Sequence, residues 1–312
     1  MPISKSPAAR KAPASPAPIQ PLKGVRVVSL ALNLPGPAAL MRCRQMGASC
    51  LKFEPPAPAG APAGASGDPM KLYNPKAYAA LHDGVRITTA DLKTERGQAL
   101  LHRELAKADV LLTSFRPSAL VKLGLSWKAL HKQHPQLSQV AIVGSPGERA
   151  EEPGHDLTYL AENDLVTGLD LPPTLYADMG GSLMASEAVL QAVMHQRTKG
   201  KAACLEVALS AAAGYLALPR SWGLTQPGAA VGGGHAGYRL YACKDGRVAL
   251  AALEPHFAAS LCAVAGVQAS GMKAMFTPAT HAAMEAWLRG KTRKELDALA
   301  VEKDIPLHTL AA

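Results

Sequence analysis

Aromatic residues are scarce in this sequence, at 4% of 312 residues. No basic stretch carries the interleaved Phe or Tyr on which nucleic-acid bases stack, and this argues against a nucleic-acid partner. The chain nevertheless has a formal net charge of +9 at neutral pH. Because a surplus of positive charge suits a polyanionic partner, we expect a small ligand that carries phosphate groups.

Three further absences exclude other classes of protein. No apolar run approaches the roughly 20 residues that span a bilayer, and no apolar stretch near the start suits a signal peptide. The sequence lacks GxGxxG after its first strand and lacks a Walker-type GK[ST]. Its cysteines form no CxxC pair and no Cys/His cluster at zinc spacing; they are Cys43, Cys50, Cys204, Cys243 and Cys262. We expect a soluble cytoplasmic protein without membrane contact, metal or resident cofactor.

Acidic residues are missing from the start of the chain, where the first one is Glu54. Residues 1–20 are rich in Pro, Ala and Ser, and such a segment buries too little apolar surface to offset the entropy lost on ordering. We predict a disordered basic tail over residues 1–20. A transit peptide is the alternative, but the prolines disfavour the amphipathic helix that such a signal needs.

Apolar runs typical of buried strands alternate with helical patterns from residue 25 onward. This alternation predicts an α/β fold, a Rossmann-like open parallel sheet with flanking helices, over a large domain at residues 21–225. A long helix is expected from about residue 180 to residue 197. The runs with strand character are 25–32, 50–53, 86–92, 109–115, 137–144 and 204–209.

The pattern changes after Pro227, where a Gly-rich stretch precedes two more strand-like runs, 238–243 and 247–253. Asp245-Gly246 between these runs is a strong hairpin signal. Helical patterns follow near 254–266, 280–289 and 292–303. Residues 226–312 are therefore predicted to form a smaller α+β domain.

Three short motifs contain residues able to transfer protons. Each also has a structural interpretation: His155 as a satisfied structural histidine, Asp178 as a helix N-cap, and Glu254 as a carboxylate that complements a helix dipole. Taken singly, no motif defines a site. The motifs are Gly154-His155-Asp156-Leu157-Thr158-Tyr159, Ala177-Asp178-Met179-Gly180-Gly181-Ser182 and Leu253-Glu254-Pro255.

The order of these and other motifs along the chain is specific. The others include Pro35-Gly36-Pro37, Leu51-Lys52-Phe53-Glu54-Pro55, Thr89 to Lys93, Phe115-Arg116-Pro117 and Lys244-Asp245-Gly246. From residue 21 to residue 312 the chain resembles the family III CoA-transferases (CaiB/BaiF), and within them the α-methylacyl-CoA racemases more closely. The resemblance implies that the large domain binds CoA. It also implies an acyl-CoA substrate, a role in lipid metabolism and a homodimer.

The resemblance assigns roles to the three motifs. Racemases carry a histidine at the position of His155, where the transferases commonly have an aromatic residue. His155 and Asp178 are thus predicted to be the two acid/base groups that flank the α-carbon, with Glu254 orienting His155. Inversion by proton exchange needs one base on each face. The predicted function is a racemase or epimerase of 2-methylacyl-CoA thioesters, by 1,1-proton transfer through an enolate.

Two alternatives stay open at this point. In a CoA-transferase of the same family, Asp178 is the nucleophile that accepts the acyl group. A third possibility is a homologue that binds CoA without catalysing a reaction.

An enolate needs hydrogen-bond donors, because the α-proton of a thioester is too weakly acidic for an ordinary base. We expect the N–H groups of Gly180 and Gly181, at the start of the long helix, to face the thioester oxygen. One such donor stabilises a transition state by roughly 3–4 kcal/mol in other enzymes.

The resemblance also implies a set of CoA contacts, several of which lie just beyond predicted strands, where ligands of open α/β sheets bind. For Lys122 an exposed surface charge is an equal alternative. The set comprises Lys52, Ala90, Asp91, Leu92, Lys93, Ser114, Phe115, Arg116, Lys122, Gly154, Asp156 and Tyr159.

Three features depart from the family pattern. The loop between Val143 and His155 lacks the usual aromatic residue, and a Gly-rich run precedes Tyr238. His235 in that run is expected to be a loop histidine in solvent, with a substituted pocket residue as the alternative. Relatives typically continue past the point matching Ile305, so the chain is expected to be a C-terminally shortened relative.

Overall fold

A computed structural model describes residues 19–61, 65–268 and 271–312. The tail predicted for residues 1–20 lies outside this range except for its last two residues. The chain divides between Leu216 and Ala217 into two compact units. None of the helices in the described range combines the length and apolar character needed to cross a membrane.

The first unit is built on a six-stranded sheet in which every pair of neighbours is parallel. The order across the sheet is β3-β2-β1-β4-β5-β6. This is the order of doubly wound Rossmann-type sheets, and it confirms the predicted fold class. The strands are β1 (Arg26–Ser29), β2 (Ser49–Glu54), β3 (Arg86–Thr89), β4 (Val110–Thr113), β5 (Ser138–Val143) and β6 (Cys204–Ala208).

Helices cover both faces of this sheet, and successive strand residues enter different cores. Val27 packs with Leu40 in one core, whereas the adjacent Val28 packs with Leu101 in the other. Strands β1, β4 and β5 are buried on both faces and together apolar at most positions, which is why the sequence pattern revealed them. The helices are α1 (Pro35–Gln45), α2 (Pro69–Tyr73), α3 (Pro75–Leu81), α4 (Glu95–Leu105), α5 (Pro117–Lys122), α6 (Trp127–Gln133), α7 (Asp156–Glu162), α8 (Tyr176–Lys199) and α9 (Leu209–Leu216), with a 3₁₀ turn at Gly147–Glu151.

The long helix α8 begins at Tyr176, one turn before the expected start at residue 180. The paired glycines therefore lie inside the helix, where α9 packs closely against it. A Cβ atom added to Gly181 would lie 2.2 Å from Cδ2 of Leu209. The glycines thus serve helix packing and do not mark the helix start.

The second unit contains an antiparallel three-stranded sheet with the order β7-β8-β9. Strands β7 (Tyr238–Cys243) and β8 (Gly246–Ala251) form the predicted hairpin, and Lys244-Asp245 is its two-residue turn because Cys243 pairs with Gly246. Strand β9 (Leu307–Leu310) was not predicted, since four residues carry too little pattern. The remaining elements are α10 (Leu218–Ser221), α11 (Pro255–Ala265), α12 (Pro278–Arg289) and α13 (Arg293–Glu302), with 3₁₀ turns at Ala230–Gly232 and Met272–Phe276.

Candidate active site

The strand order of the first sheet reverses between β1 and β4. In open parallel sheets, ligands bind beyond the carboxyl ends of the strands at such a switch point. Ala90 follows β3, Ser114 follows β4 and Gly144 follows β5. The sheet therefore brings together segments that the sequence separates widely.

A cleft of about 170 Å³ opens at this edge. Its wall includes five of the residues predicted to contact CoA: Ser114, Phe115, Arg116, Gly154 and Tyr159. Tyr159 is buried, and a Cβ atom on residue 154 would lie 2.6 Å from its hydroxyl oxygen. Position 154 therefore has to be glycine while Tyr159 holds this place in the wall.

A second cleft, of about 150 Å³, lies on the β3 side of the first unit. Ala90, Asp91, Leu92 and Lys93 line it, and Phe115 belongs to the walls of both clefts. Hydrogen bonds shape this segment: the Lys93 N–H donates to Oδ1 of Asp91 at 2.9 Å, and the Ala90 N–H donates to the Glu54 carbonyl at 2.9 Å. Nine of the twelve predicted contacts thus fall into two groups that share one aromatic ring.

Three of the predicted cations, Lys93, Arg116 and Lys122, are exposed and accessible to a phosphate. Glu151 lies near two of them and accepts hydrogen bonds from the Ser118 N–H at 2.6 Å and the Ser118 hydroxyl at 2.9 Å. These bonds, with the charges of Arg116 and Lys122, lower the pKa of Glu151. Arg116 and Lys122 thus act on one carboxylate, that of Glu151, and are themselves exposed.

Lys52 does not fit its predicted role as a CoA contact. Its side chain is fully buried within β2, and its ammonium is paired with Glu54 at 3.0 Å and with Asp68. Nε2 of His82 lies 2.9 Å from the same Nζ atom. Because charges are buried only with such partners, this lysine is a structural cation. It does not contact CoA as the sequence predicted.

The two predicted acid/base groups lie at the starts of consecutive helices. His155 is exposed and precedes α7, where its N–H donates to the Thr158 hydroxyl at 3.1 Å. Asp178 lies in the first turn of α8. Asp156 connects the two helices, because its Oδ1 accepts the Asp178 N–H at 2.9 Å. The side chain of Asp156 is buried and positions α8. It does not make the predicted contact with CoA.

The surroundings of Asp178 make its carboxyl unusual. Burial and, to a smaller extent, the negative charge of Asp156 raise its pKa from 3.8 to about 6, while His155 acts in the opposite direction. The charge of Asp178 in turn raises the pKa values of Tyr73 and Tyr159, after the larger effect of burial in each case. His155, Asp156, Tyr73 and Tyr159 thus lie within electrostatic reach of one carboxyl group.

The predicted oxyanion donors need correction. In an α-helix each N–H donates to the carbonyl four residues earlier, so those of Gly180 and Gly181 are directed at Tyr176 and Ala177 within α8. Only the first turn of a helix has N–H groups without such partners, and Asp156 accepts the one from Asp178. The two glycines therefore do not supply donors for an enolate.

Two residues of the second unit were also considered in the sequence. Glu254 is exposed as the N-cap residue of α11, and its pairing with His155 stays a prediction. His235 is buried, whereas the sequence predicted a loop histidine in solvent. Its Nδ1 accepts the Gly237 N–H at 3.0 Å, and its ring packs edge-on against Phe276. The Gly-rich loop folds over this imidazole, which the sequence pattern does not reveal.

Sequence reasoning missed Asn33 and Tyr73. The Tyr73 hydroxyl donates to Oδ1 of Asn33 at 3.3 Å, just beyond β1. No motif points to either residue, because their contact with each other and the effect of Asp178 on Tyr73 join elements far apart in sequence.

Ligand clefts at the switch point of a 3-2-1-4-5-6 parallel sheet define a Rossmann-type ligand-binding protein. The chain belongs to CoA-transferase family III, whose family model matches residues 22–311. Members of this family are enzymes, and both racemases and CoA-transferases occur among the relatives of this chain.

Individual relatives agree with the family assignment. The chain is 30% identical to the probable fatty acyl-CoA transferase Rv3272 of Mycobacterium tuberculosis over 201 residues, 62% of this chain and 51% of that protein. It is 28% identical to the human alpha-methylacyl-CoA racemase over 254 residues, 76% of this chain and 62% of that protein. An orthorhombic crystal structure of Rv3272 has a TM-score of 0.77 at 26% identity and covers 95% of this chain and 85% of its own. The chain spans about half the length of several curated relatives that it matches.

Proposed function

We propose that this chain is a racemase or epimerase of 2-methylacyl-CoA thioesters. The observation that carries the proposal is the pair formed by His155 and a carboxyl, Asp178, whose pKa is raised to about 6. A proton-transfer group works best when its pKa lies near the operating pH. Asp178 meets that condition near neutral pH, and an ordinary aspartate does not.

The reaction is a 1,1-proton transfer. One group of the pair removes the α-proton, and the electrons of the C–H bond move to the thioester oxygen to form an enolate. The conjugate acid of the other group then delivers a proton to the opposite face of the carbon. His155 and Asp178 exchange roles for the two enantiomers, and no metal or resident cofactor enters the proposed scheme.

The two clefts support binding of the CoA part. We assign the adenine to the cleft of Ala90 to Lys93, because its apolar wall with Phe115 suits a planar base. The exposed Lys93, Arg116 and Lys122 provide charge for the phosphates, as expected for a polyanionic ligand. Glu254 as the residue that orients His155, and a homodimer as the working form, belong to the same proposal.

The second candidate is a CoA-transferase, in which ionised Asp178 attacks the thioester carbonyl. Relatives named as transferases favour it, among them the cinnamoyl-CoA:phenyllactate CoA-transferase of Clostridium sporogenes. The raised pKa of Asp178 is compatible with both reactions, but a 1,1-proton transfer needs two acid/base groups, and His155 supplies the second one. We therefore rank this reaction second.

Incubation of the protein with a chiral 2-methylacyl-CoA in heavy water separates the candidates. A racemase incorporates deuterium at the α-carbon and scrambles the configuration. A transferase gives ping-pong kinetics with an acid acceptor and an aspartyl intermediate that hydroxylamine traps. CoA binding with neither result identifies a non-catalytic homologue and contradicts the proposal.

His155→Ala is the informative variant. It should abolish deuterium exchange and leave CoA affinity unchanged, because the residue is exposed and its side chain is not in the wall of either cleft. His131→Ala, at another exposed histidine on α6, is the matched control. Unchanged exchange in the His155 variant would remove this residue from the mechanism.

A further inference from the structure

The proposed reaction needs a donor for the thioester oxygen, and the glycines of α8 do not provide one. Tyr73 is the last residue of α2, and its side chain is 64% exposed. It carries a hydroxyl group within electrostatic reach of Asp178. The hydroxyl group of Tyr73 has a specific hydrogen-bond partner.

That partner is Asn33, which follows the carboxyl end of β1 at the switch point. The hydroxyl of Tyr73 donates to its Oδ1 at 3.3 Å, a long bond that a better acceptor would displace. The backbone of Asn33 has a positive φ of 62°. Such a conformation is uncommon for residues with a side chain, and asparagine adopts it more readily than most.

A buried carboxylate holds the backbone of Asn33. Asp68 accepts the Asn33 N–H at 3.2 Å and 3.3 Å through its two oxygens. The same carboxylate caps α2 by accepting the Met70 N–H at 2.9 Å. The ammonium group of Lys52, a residue of β2, pairs with Asp68 and neutralises its charge. One buried ion pair thus positions the β1 loop and the helix that carries Tyr73 together.

The environment also keeps the phenol protonated. Burial raises the pKa of Tyr73, and the charges of Asp68 and Asp178 raise it further. A donor to an enolate has to retain its own proton while negative charge develops in front of it. The raised pKa of Tyr73 favours retention of that proton.

We propose that the Tyr73 hydroxyl donates a hydrogen bond to the thioester oxygen of the substrate as the enolate forms. This inference rests on the proposed racemase function. In the reaction the α-proton passes to His155 or Asp178 and the C–H electron pair passes to the oxygen. The Tyr73 proton stays on Tyr73, and on substrate binding its bond to Asn33 is exchanged for the bond to the thioester.

Tyr73→Phe tests the proposal, with Tyr215→Phe as its control, because Tyr215 is 66% exposed and undergoes the same chemical change. Loss of one preorganised donor lowers kcat by about 10²–10³-fold in other enzymes. We expect a fall of that order in α-deuterium exchange for Tyr73→Phe and none for Tyr215→Phe. CoA affinity should be equal in all three proteins, since the removed oxygen acts only on the thioester.

A second measurement needs no turnover. Acetoacetyl-CoA forms an enolate with its own ultraviolet absorption, and a site that stabilises the enolate increases this absorption on binding. The increase should appear in the wild type and in Tyr215→Phe and be strongly reduced in Tyr73→Phe. Equal absorption in all three proteins would overturn the donor role. A Tyr73-dependent increase without deuterium exchange in the wild type would overturn the racemase function and support the donor role.

Discussion

The charge of Asp156 should raise the pH at which Asp178 titrates. Asp156→Asn removes the charge and keeps an amide oxygen able to accept the Asp178 N–H, so the start of α8 is preserved. The pKa of Asp178 rises from 3.8 to about 6, with burial as the first cause and Asp156 as the second. Removing the smaller cause should lower the pKa by about one, equivalent to about 1.4 kcal/mol.

The assay is the pH dependence of α-deuterium exchange, followed separately for each enantiomer as kcat/KM. For the enantiomer whose proton Asp178 removes, the rate should fall as pH drops through about 6 in the wild type, because the carboxyl becomes protonated. In Asp156→Asn the same fall should occur about one pH unit lower. Glu187→Gln, an equal charge change at an exposed site farther along α8, is the control.

If the fall in rate at low pH is unchanged in Asp156→Asn, Asp156 does not act on the pKa of Asp178. A shift to higher pH would reverse the sign of the assigned interaction. Either result would refute the reasoning, whereas an equal shift in the Glu187 control would point to net charge in place of the local pair.

Three further predictions concern stability and binding. Asp178→Asn should raise the free energy of unfolding at pH 7 by up to about 3 kcal/mol, measured by urea unfolding. Because the pKa of the Asp178 carboxyl is raised, the stability that this group contributes below its unfolded pKa is lost as pH rises through about 6. The gain in the variant should therefore vanish at pH 4. Lys52→Met should lower the free energy of unfolding by roughly 3–5 kcal/mol, because it leaves buried carboxylates without their cation. Lys122→Met should weaken CoA binding and leave stability unchanged. The reverse result, weaker CoA binding in the Lys52 variant and lower stability in the Lys122 variant, would support Lys52 as a CoA contact. Nδ1 of His102 lies 3.0 Å from Nε2 of His134, and burial lowers the pKa of both residues. The stability that they contribute above pH 6.5 should therefore be lost as pH falls, and Tm should decrease. Replacing both residues with Gln should make this decrease smaller.

Part of what sequence reasoning missed carried a local signal. Helices α2 and α3 were not predicted, although Asp68-Pro69 and Asn74-Pro75 each combine an N-cap residue with proline at the first helical position. Both side chains accept a backbone N–H of the helix that follows. The two helices were therefore detectable from their caps, even though five and seven residues give little periodicity.

Lys52 shows the opposite case. Its position in a strand next to Glu54 and Pro55 matches a family motif, and nothing local distinguishes a ligand from a structural cation. The decision came from Asp68, sixteen positions later, and from His82, thirty positions later. A buried ion pair of that span depends on how the chain returns to the sheet.

The sequence by itself determined the strands of a doubly wound sheet, the long helix α8, the hairpin of the second unit, and the candidate pair His155 and Asp178. These depend on periodicity, turn chemistry and motif order, which are properties of neighbouring residues. Only the tertiary structure decided that Asp156 supports α8, that Gly180 and Gly181 pack inside it, and that Tyr73 lies near Asp178. Burial and charge at a site come from residues distant in the chain, so they exist only after the sheet has assembled.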